Sequence, residues 1–205
     1  LDCFSLMQLL IATTNQGKLD EIKIILDGLP IEFFTLRSFP AIGEIEETGQ
    51  TFTENSRIKA EHYAAKTGML TVAEDSGFAI DALDGQPGVR SSRFNGETYE
   101  EKFSEIYKQL SNCGGNESPA QFVCALTLID KEIIFEAKGA VEGFIATEPR
   151  GKAGFGYDPI FYFPPLAGTF AELSPEQKIA VSHRGQAFRQ LRAFLATWQH
   201  ETHPR

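Results

Sequence analysis

Leu70-Thr71-Val72-Ala73-Glu74-Asp75-Ser76-Gly77 joins an apolar run to an acidic one, and its reading decides the fold. Thr71 to Ala73 has the composition of a short buried strand. Glu74 and Asp75 then fall at the strand's end, at the rim of a sheet, where α/β proteins place their ligands. Two carboxylates there can hold a hard cation through oxygen and still leave one free to accept a proton. Gly77 lets the backbone turn tightly or approach a ligand closely. An acidic turn capping the next element would use the same residue types, so the stretch has to be weighed with its surroundings.

Upstream, strand and helix patterns alternate. Leu9 to Ala12 is a short apolar run, and Gly17 to Leu29 carries helical spacing at Leu19, Ile22, Ile25, Leu26 and Leu29 before Pro30. Ile31 to Leu36 alternates as a strand, and Ser38 to Gln50 is a polar, acidic loop. Thr51-Phe-Thr-Glu54 is a capping box that starts a helix running through Lys66 to a stop at Gly68. Such alternation predicts a largely parallel, covered sheet. Downstream of Asp81 the texture changes. Asp84 to Gly96 is a loop, and Thr98 to Leu110 is an amphipathic helix capped by Thr98 with Glu101. Ala120–Ile129 and Glu132–Val141, joined at Asp130-Lys131, read as a long antiparallel hairpin. Arg150 to Asp158 is a glycine-rich loop, Ser174-Pro-Glu-Gln177 opens another capped helix, and a last helix runs from Gly185 to Gln199. The fold class expected is α/β: two lobes around a central mixed sheet with flanking helices, the long hairpin, and an active-site cleft between the lobes.

Composition excludes several functions. With 205 residues and 42% hydrophobic content the chain can bury one good core, split or not between two lobes. A net charge of −9 argues against a nucleic-acid polymer as partner. Cys3, Cys113 and Cys124 are odd in number and widely spaced, without a CxxC pair, so neither a disulfide framework nor a zinc site is indicated, and a cytoplasmic home is expected. No segment approaches the roughly 18 apolar residues of a membrane span. Met7 is expected as the natural start, with residues 1–6 an upstream extension or an expression artefact, and residues 7–200 as a single catalytic domain.

Four clusters carry chemistry. Thr13-Thr14-Asn15-Gln16-Gly17-Lys18 precedes the first helix, whose N-terminus favours an anion. Gly17 permits close approach and Lys18 adds a positive charge, although the spacing is not that of a phosphate-binding Walker loop. Glu44, Glu46 and Glu47 crowd the acidic loop, and one or two of them with Glu74 and Asp75 would make an oxygen-rich divalent-metal site suited to Mg²⁺. Gly154-Phe155-Gly156-Tyr157-Asp158 combines aromatic faces for base stacking with a carboxylate for ring N–H groups. Lys178 and Ser182-His183-Arg184 supply donors for phosphate or a keto oxygen. Together these specify a nucleoside triphosphate site.

The same residues carry a family resemblance. Thr13–Lys18, Glu46-Glu-Thr-Gly-Gln-Thr-Phe-Thr-Glu-Asn55, Ala73-Glu-Asp-Ser-Gly77, Pro87-Gly-Val-Arg-Ser-Ser-Arg93, Phe155-Gly-Tyr-Asp158 and Ser182-His-Arg-Gly185 follow the order of the inosine triphosphate pyrophosphatase family, over about residues 7 to 198. The chain resembles its bacterial members, house-cleaning hydrolases of dITP, ITP and XTP. The resemblance implies release of pyrophosphate, with Asp75 as base and metal ligand and Glu46 or Glu47 and Glu74 around the metal. It implies Mg²⁺, with Mn²⁺ able to substitute, and a homodimer. Thr13, Thr14, Asn15, Gly17, Lys18, Ser76, Phe155, Gly156, Tyr157, Asp158, Lys178, His183 and Arg184 are the substrate-binding positions it implies. Three departures stand out: Glu74 where Asp is frequent, Arg90 where an aromatic is common, and no Asn near Lys102. Two rival readings are a Maf-type pyrophosphatase of modified pyrimidine or methylated nucleotides, and a non-catalytic nucleotide-binding module. The homodimer expectation also has a physical basis, since an uncovered edge of the Ala120–Val141 hairpin would invite pairing.

Overall fold

The computed structural model describes residues 6–113 and 117–202. Cys3 and most of the expected 1–6 extension lie outside them. β1 (Met7–Ile11) pairs in parallel with β2 (Ile31–Thr35) and with β3 (Leu70–Ile80). α1 (Gln16–Leu26) links β1 to β2, and α2 (Phe52–Thr67) precedes β3. β4 (Gln86–Pro87) pairs antiparallel with β3. α3 (Tyr99–Asn112) precedes β5 (Pro119–Asp130) and β6 (Glu132–Ile145). Antiparallel β7 (Phe161–Phe163) and β8 (Gly168–Thr169) follow, then α4 (Pro175–Val181) and α5 (His183–Thr202). The sheet order is β2-β1-β3-β5-β6-β7-β8, with β4 against β3, so the expected mixed α/β sheet is present.

By packing, the chain forms two compact units. The first holds the described residues up to Asp75, Ala125–Lys138 and the chain from Ala187; the second holds Ser76–Cys124 and Gly139–Gln186. The first has a core of Leu10, Ala12, Ala60, Tyr63, Ala73 and Ile129. In the second, Phe78, Phe122, Phe161 and Phe170 pack ring on ring. Among the described residues no helix is long and apolar enough to cross a membrane.

The helix starts follow their local code. Thr51/Glu54 and Thr98/Glu101 both form complete capping boxes, and α2 ends on left-handed Gly68. α1 stops at Leu26, three residues before the predicted end. Gly28 turns left-handed there, and Arg192 from α5 donates to the late carbonyls of Ile25 and Asp27. α5 begins at His183, two residues earlier than predicted.

Two expectations are corrected. β3 does not end before Glu74; it runs on through Asp75, Ser76 and Gly77 to Ile80, so Gly77 is an extended residue and not a turn. The acidic pair still lies past the end of the parallel partner, because β1 matches β3 only at Leu70–Val72. The β5–β6 pair is interior to the sheet, not an uncovered edge. β6 is covered by β7 at Phe144 and Ile145, and α5 supplies further partners. Ala140 N–H donates to Gln186 Oε1 at 3.3 Å, and Gln190 Nε2 donates to Lys138 O at 2.9 Å.

Lys131 alone joins β5 to β6, which leaves no room for a crossover and makes the pair antiparallel. Its φ of 65° is one that a side chain disfavours. Lys131→Gly is therefore expected to raise stability by about 0.5–1 kcal/mol in urea unfolding; a loss of stability would show that the side chain matters more than the backbone strain.

Candidate active site

In the first unit the functional side chains gather around Asp75, which is buried at 5% exposure. α2 supplies two of them from one face, since positions four apart lie above one another on a helix. Asn55 Nδ2 donates to Asp75 Oδ2 at 3.0 Å, and Lys59 Nζ stands 3.5 Å from Oδ1. Lys59 also donates to Glu47 Oε1 at 2.7 Å. Glu74, next along β3, pairs with Lys18 at 2.9 Å. Asn55 is oriented in turn by the Gly49 N–H, which donates to its Oδ1 at 2.8 Å. A Cβ on Gly49 would lie 2.6 Å from that oxygen, so this approach requires glycine.

Burial pushes the Asp75 carboxyl up from its ordinary value and Glu47 adds to the shift, while Lys59, Asn55 and Lys18 pull the other way without cancelling it. Burial likewise works to lower the Lys59 ammonium, but Asp75, Glu47 and Glu74 outweigh it and hold it above its ordinary range. Three carboxylates thus share two ammonium groups. The excess of hard oxygen donors fits a divalent cation, with Glu47, Glu74 and Asp75 as the groups able to hold it. Among the described residues no three His, Cys, Asp or Glu side chains form a ready-made cage.

The second unit carries the other cluster. Arg184, at 1% exposure, donates from Nη2 to Ser76 Oγ at 3.0 Å. Lys178 Nζ lies 4.4 Å from the Phe155 ring centroid and the Arg184 guanidinium 5.5 Å from it. Asp158 Oδ2 accepts from Lys178 Nζ at 2.5 Å and from the Phe155 N–H at 2.8 Å. Gly154 has φ +72°, and a Cβ there would lie 2.1 Å from the same oxygen. Phe155 is thus a half-buried aromatic surface beside two cations and one carboxylate.

Several predicted residues have other partners. Asn15 is the N-cap of α1, its Oδ1 accepting the Lys18 N–H at 3.0 Å, and Thr13 Oγ1 accepts the Asn15 N–H. Gly17 lies in the first turn of α1, Thr14 is exposed, and Gly156 lies against Tyr99. Glu46 is exposed, whereas Glu47 turns inward to Lys59. Tyr157 is a core residue whose hydroxyl donates to Ser91 O at 2.7 Å. The His183 ring is buried and stacks on Phe122 with centroids 4.8 Å apart. Arg90 is exposed. Lys102, where an Asn was expected nearby, donates to Ser92 O at 2.6 Å and lies over the Tyr99 ring. Asn55 and Lys59 are the functional candidates that sequence reasoning missed. The apolar residues of α2 do not gather on one face, so its sequence does not mark which side is buried, and packing decides it.

Comparison with known proteins gives the chain its relatives. The Ham1 family profile matches residues 9–194. A dITP/XTP pyrophosphatase of Coxiella burnetii is 43% identical over 195 residues, covering 93% of this chain and 97% of that protein. One from Bacillus cereus is 39% identical over 200 residues, covering 95% and 97%. The structure of a HAM1 protein from Coxiella burnetii superposes with a TM-score of 0.86 at 42% identity, covering 94% of this chain and all of that one. The chain belongs to the Ham1 family, and the resemblance read from its six ordered motifs is borne out.

The electrostatics give a direct test. In metal-free protein followed by ¹³C NMR, the Asp75 carboxyl is expected to titrate above the ordinary 3.8 of aspartate. Asn55→Leu should move it further up, because the lost hydrogen bond stabilised the ionised form. A downward move in that variant would contradict the assigned arrangement.

Proposed function

We propose that this protein hydrolyses non-standard purine nucleoside triphosphates (dITP, ITP, XTP and dXTP) to the monophosphate and pyrophosphate, cleansing the nucleotide pool. The observation that carries the reading is Asp75, a buried carboxylate of raised pKa held between Asn55 and Lys59. Such a carboxylate is a stronger proton acceptor than an exposed one. Asp75 orients the attacking water and takes its proton. Lys59 keeps the negative charge on Asp75 in place, and Lys18, at the start of α1, offers its charge to the phosphates beside Glu74. Bound Mg²⁺, or Mn²⁺ in its place, held by Glu47, Glu74 and Asp75, would supply neutralisation of phosphate charge.

Base selection belongs to the second cluster. Phe155 offers a stacking face, tolerant of base identity. Arg184 and Lys178 are donors suited to a 6-keto oxygen, and a 6-amino group would leave them unmatched at a cost of about 1–3 kcal/mol. Ser76 follows Asp75 in β3, so one strand carries a residue of each cluster. The names of the relatives, dITP/XTP pyrophosphatases, support this substrate class. Residues 7–200 act as one catalytic domain in the cytoplasm. A homodimer is the expected assembly, and Phe144 and Leu166 are exposed apolar side chains of the second unit.

Asp75→Asn is expected to lose more than 90% of kcat, about 1.4 kcal/mol or more, while still binding nucleotide. Retention of wild-type turnover in a coupled pyrophosphate assay would remove Asp75 from the chemistry. Chelation by EDTA should abolish activity and added Mg²⁺ restore it; full turnover in EDTA would refute the metal assignment.

A further inference from the structure

Two buried hydroxyls in the first unit take no part in the chemistry described above. Ser56 on α2 and Thr127 on β5 are both 0% exposed, and their oxygens lie 2.9 Å apart. Thr127 Oγ1 donates to Glu136 Oε1 on β6 at 3.1 Å. The same carboxylate receives the Arg57 guanidinium as a fork, Nε at 2.7 Å and Nη2 at 2.6 Å. With its one proton given to Glu136, Thr127 can only accept from Ser56, whose proton is shared with Thr53 O at 2.9 Å. An alanine and a valine would fill these positions without the cost of burying hydroxyls.

The sequence of contacts along α2 gives the pair a purpose. Asn55 bonds to Asp75, Ser56 to Thr127 and Arg57 to Glu136. Successive residues on a helix point about 100° apart, so three consecutive side chains pinned in three directions fix the rotation of α2 about its axis. Lys59 follows Asn55 by four residues, and its reach to Asp75 depends on the same rotation.

We propose that the Ser56–Thr127–Glu136–Arg57 chain is a positioning device for turnover, setting α2 so that Asn55 and Lys59 meet Asp75. Its members act through Asn55 and Lys59, to which the three pinned side chains of α2 give their orientation. The inference rests on the reading of Asp75 as the general base, because only then does a small rotation of α2 register in the rate.

The test compares Thr127→Val, Thr127→Ser and Glu136→Gln, with kcat and KM for dITP measured separately and the Asn55 side-chain amide followed by NMR without nucleotide or metal. Thr127→Val should lose about tenfold in kcat with KM within about twofold, since misplacement of about 1 Å can cost far more. It should also shift the Asn55 resonance. Thr127→Ser, which keeps the hydroxyl, should restore both. Glu136→Gln, a change on the exposed end of the chain that is compatible with folding, should move both in the same direction by less. A Thr127→Val protein with a lowered Tm but unchanged kcat per folded molecule and an unmoved Asn55 signal would overturn the proposal. So would a Thr127→Ser variant as impaired as Thr127→Val. Should the wild type not hydrolyse dITP, the pyrophosphohydrolase reading falls instead, while the Asn55 resonance still decides whether the chain sets α2.

Discussion

A carboxylate shut away from water stays ionised only if cations and N–H donors replace the hydration it gave up. Asp75 is in that position, and the first unit is organised around supplying Lys59 and Asn55 to it. Both come from α2, whose start is set by the Thr51/Glu54 box and whose end is set by Gly68. The acidic loop before α2 serves the same point, because Gly49 orients Asn55 and Glu47 holds the far side of the Lys59 ammonium. Removal of Lys59 would leave two partly buried carboxylates facing each other, a larger penalty than the pair's net contribution when intact.

The second unit meets a different constraint, that of keeping an aromatic face available in a unit that buries Phe78, Phe94, Phe103, Phe122, Phe161 and Phe170. Tyr157 anchors the loop to Ser91, and Ser91 is itself held by the Phe78 N–H and the Gly88 carbonyl. Lys102 ties the adjoining Ser92 to α3. With Tyr157 sunk in the core, Phe155 is left half-buried under Lys178 and Arg184, and Asp158 locks the loop's conformation from inside.

How far the sequence could be read follows from the range of the forces involved. Capping boxes, the left-handed stop at Gly68 and the Pro175 helix start are local, and their residues announce them. The continuation of β3 through Glu74-Asp-Ser-Gly77 is not local. Those residues have low strand preference, and neighbouring strands keep them extended. Lys59 and Asn55 read as ordinary polar helix residues until the packing of α2 turns them inward. Glu46 and Glu47 are indistinguishable by composition, and only the course of the loop sends Glu47 to Lys59 and Glu46 to solvent. The stacking of the His183 ring on Phe122 is likewise a matter of packing, which its neighbours in sequence do not announce.

The central claim is that water activated by Asp75 attacks the α-phosphorus of a purine nucleoside triphosphate. Hydrolysis of dITP in ¹⁸O-enriched water, with the products resolved by ³¹P NMR or mass spectrometry, tests it most directly. The account requires dIMP and intact pyrophosphate as the first products, with the label in the monophosphate. Label in pyrophosphate, or orthophosphate as the first product released, would contradict it.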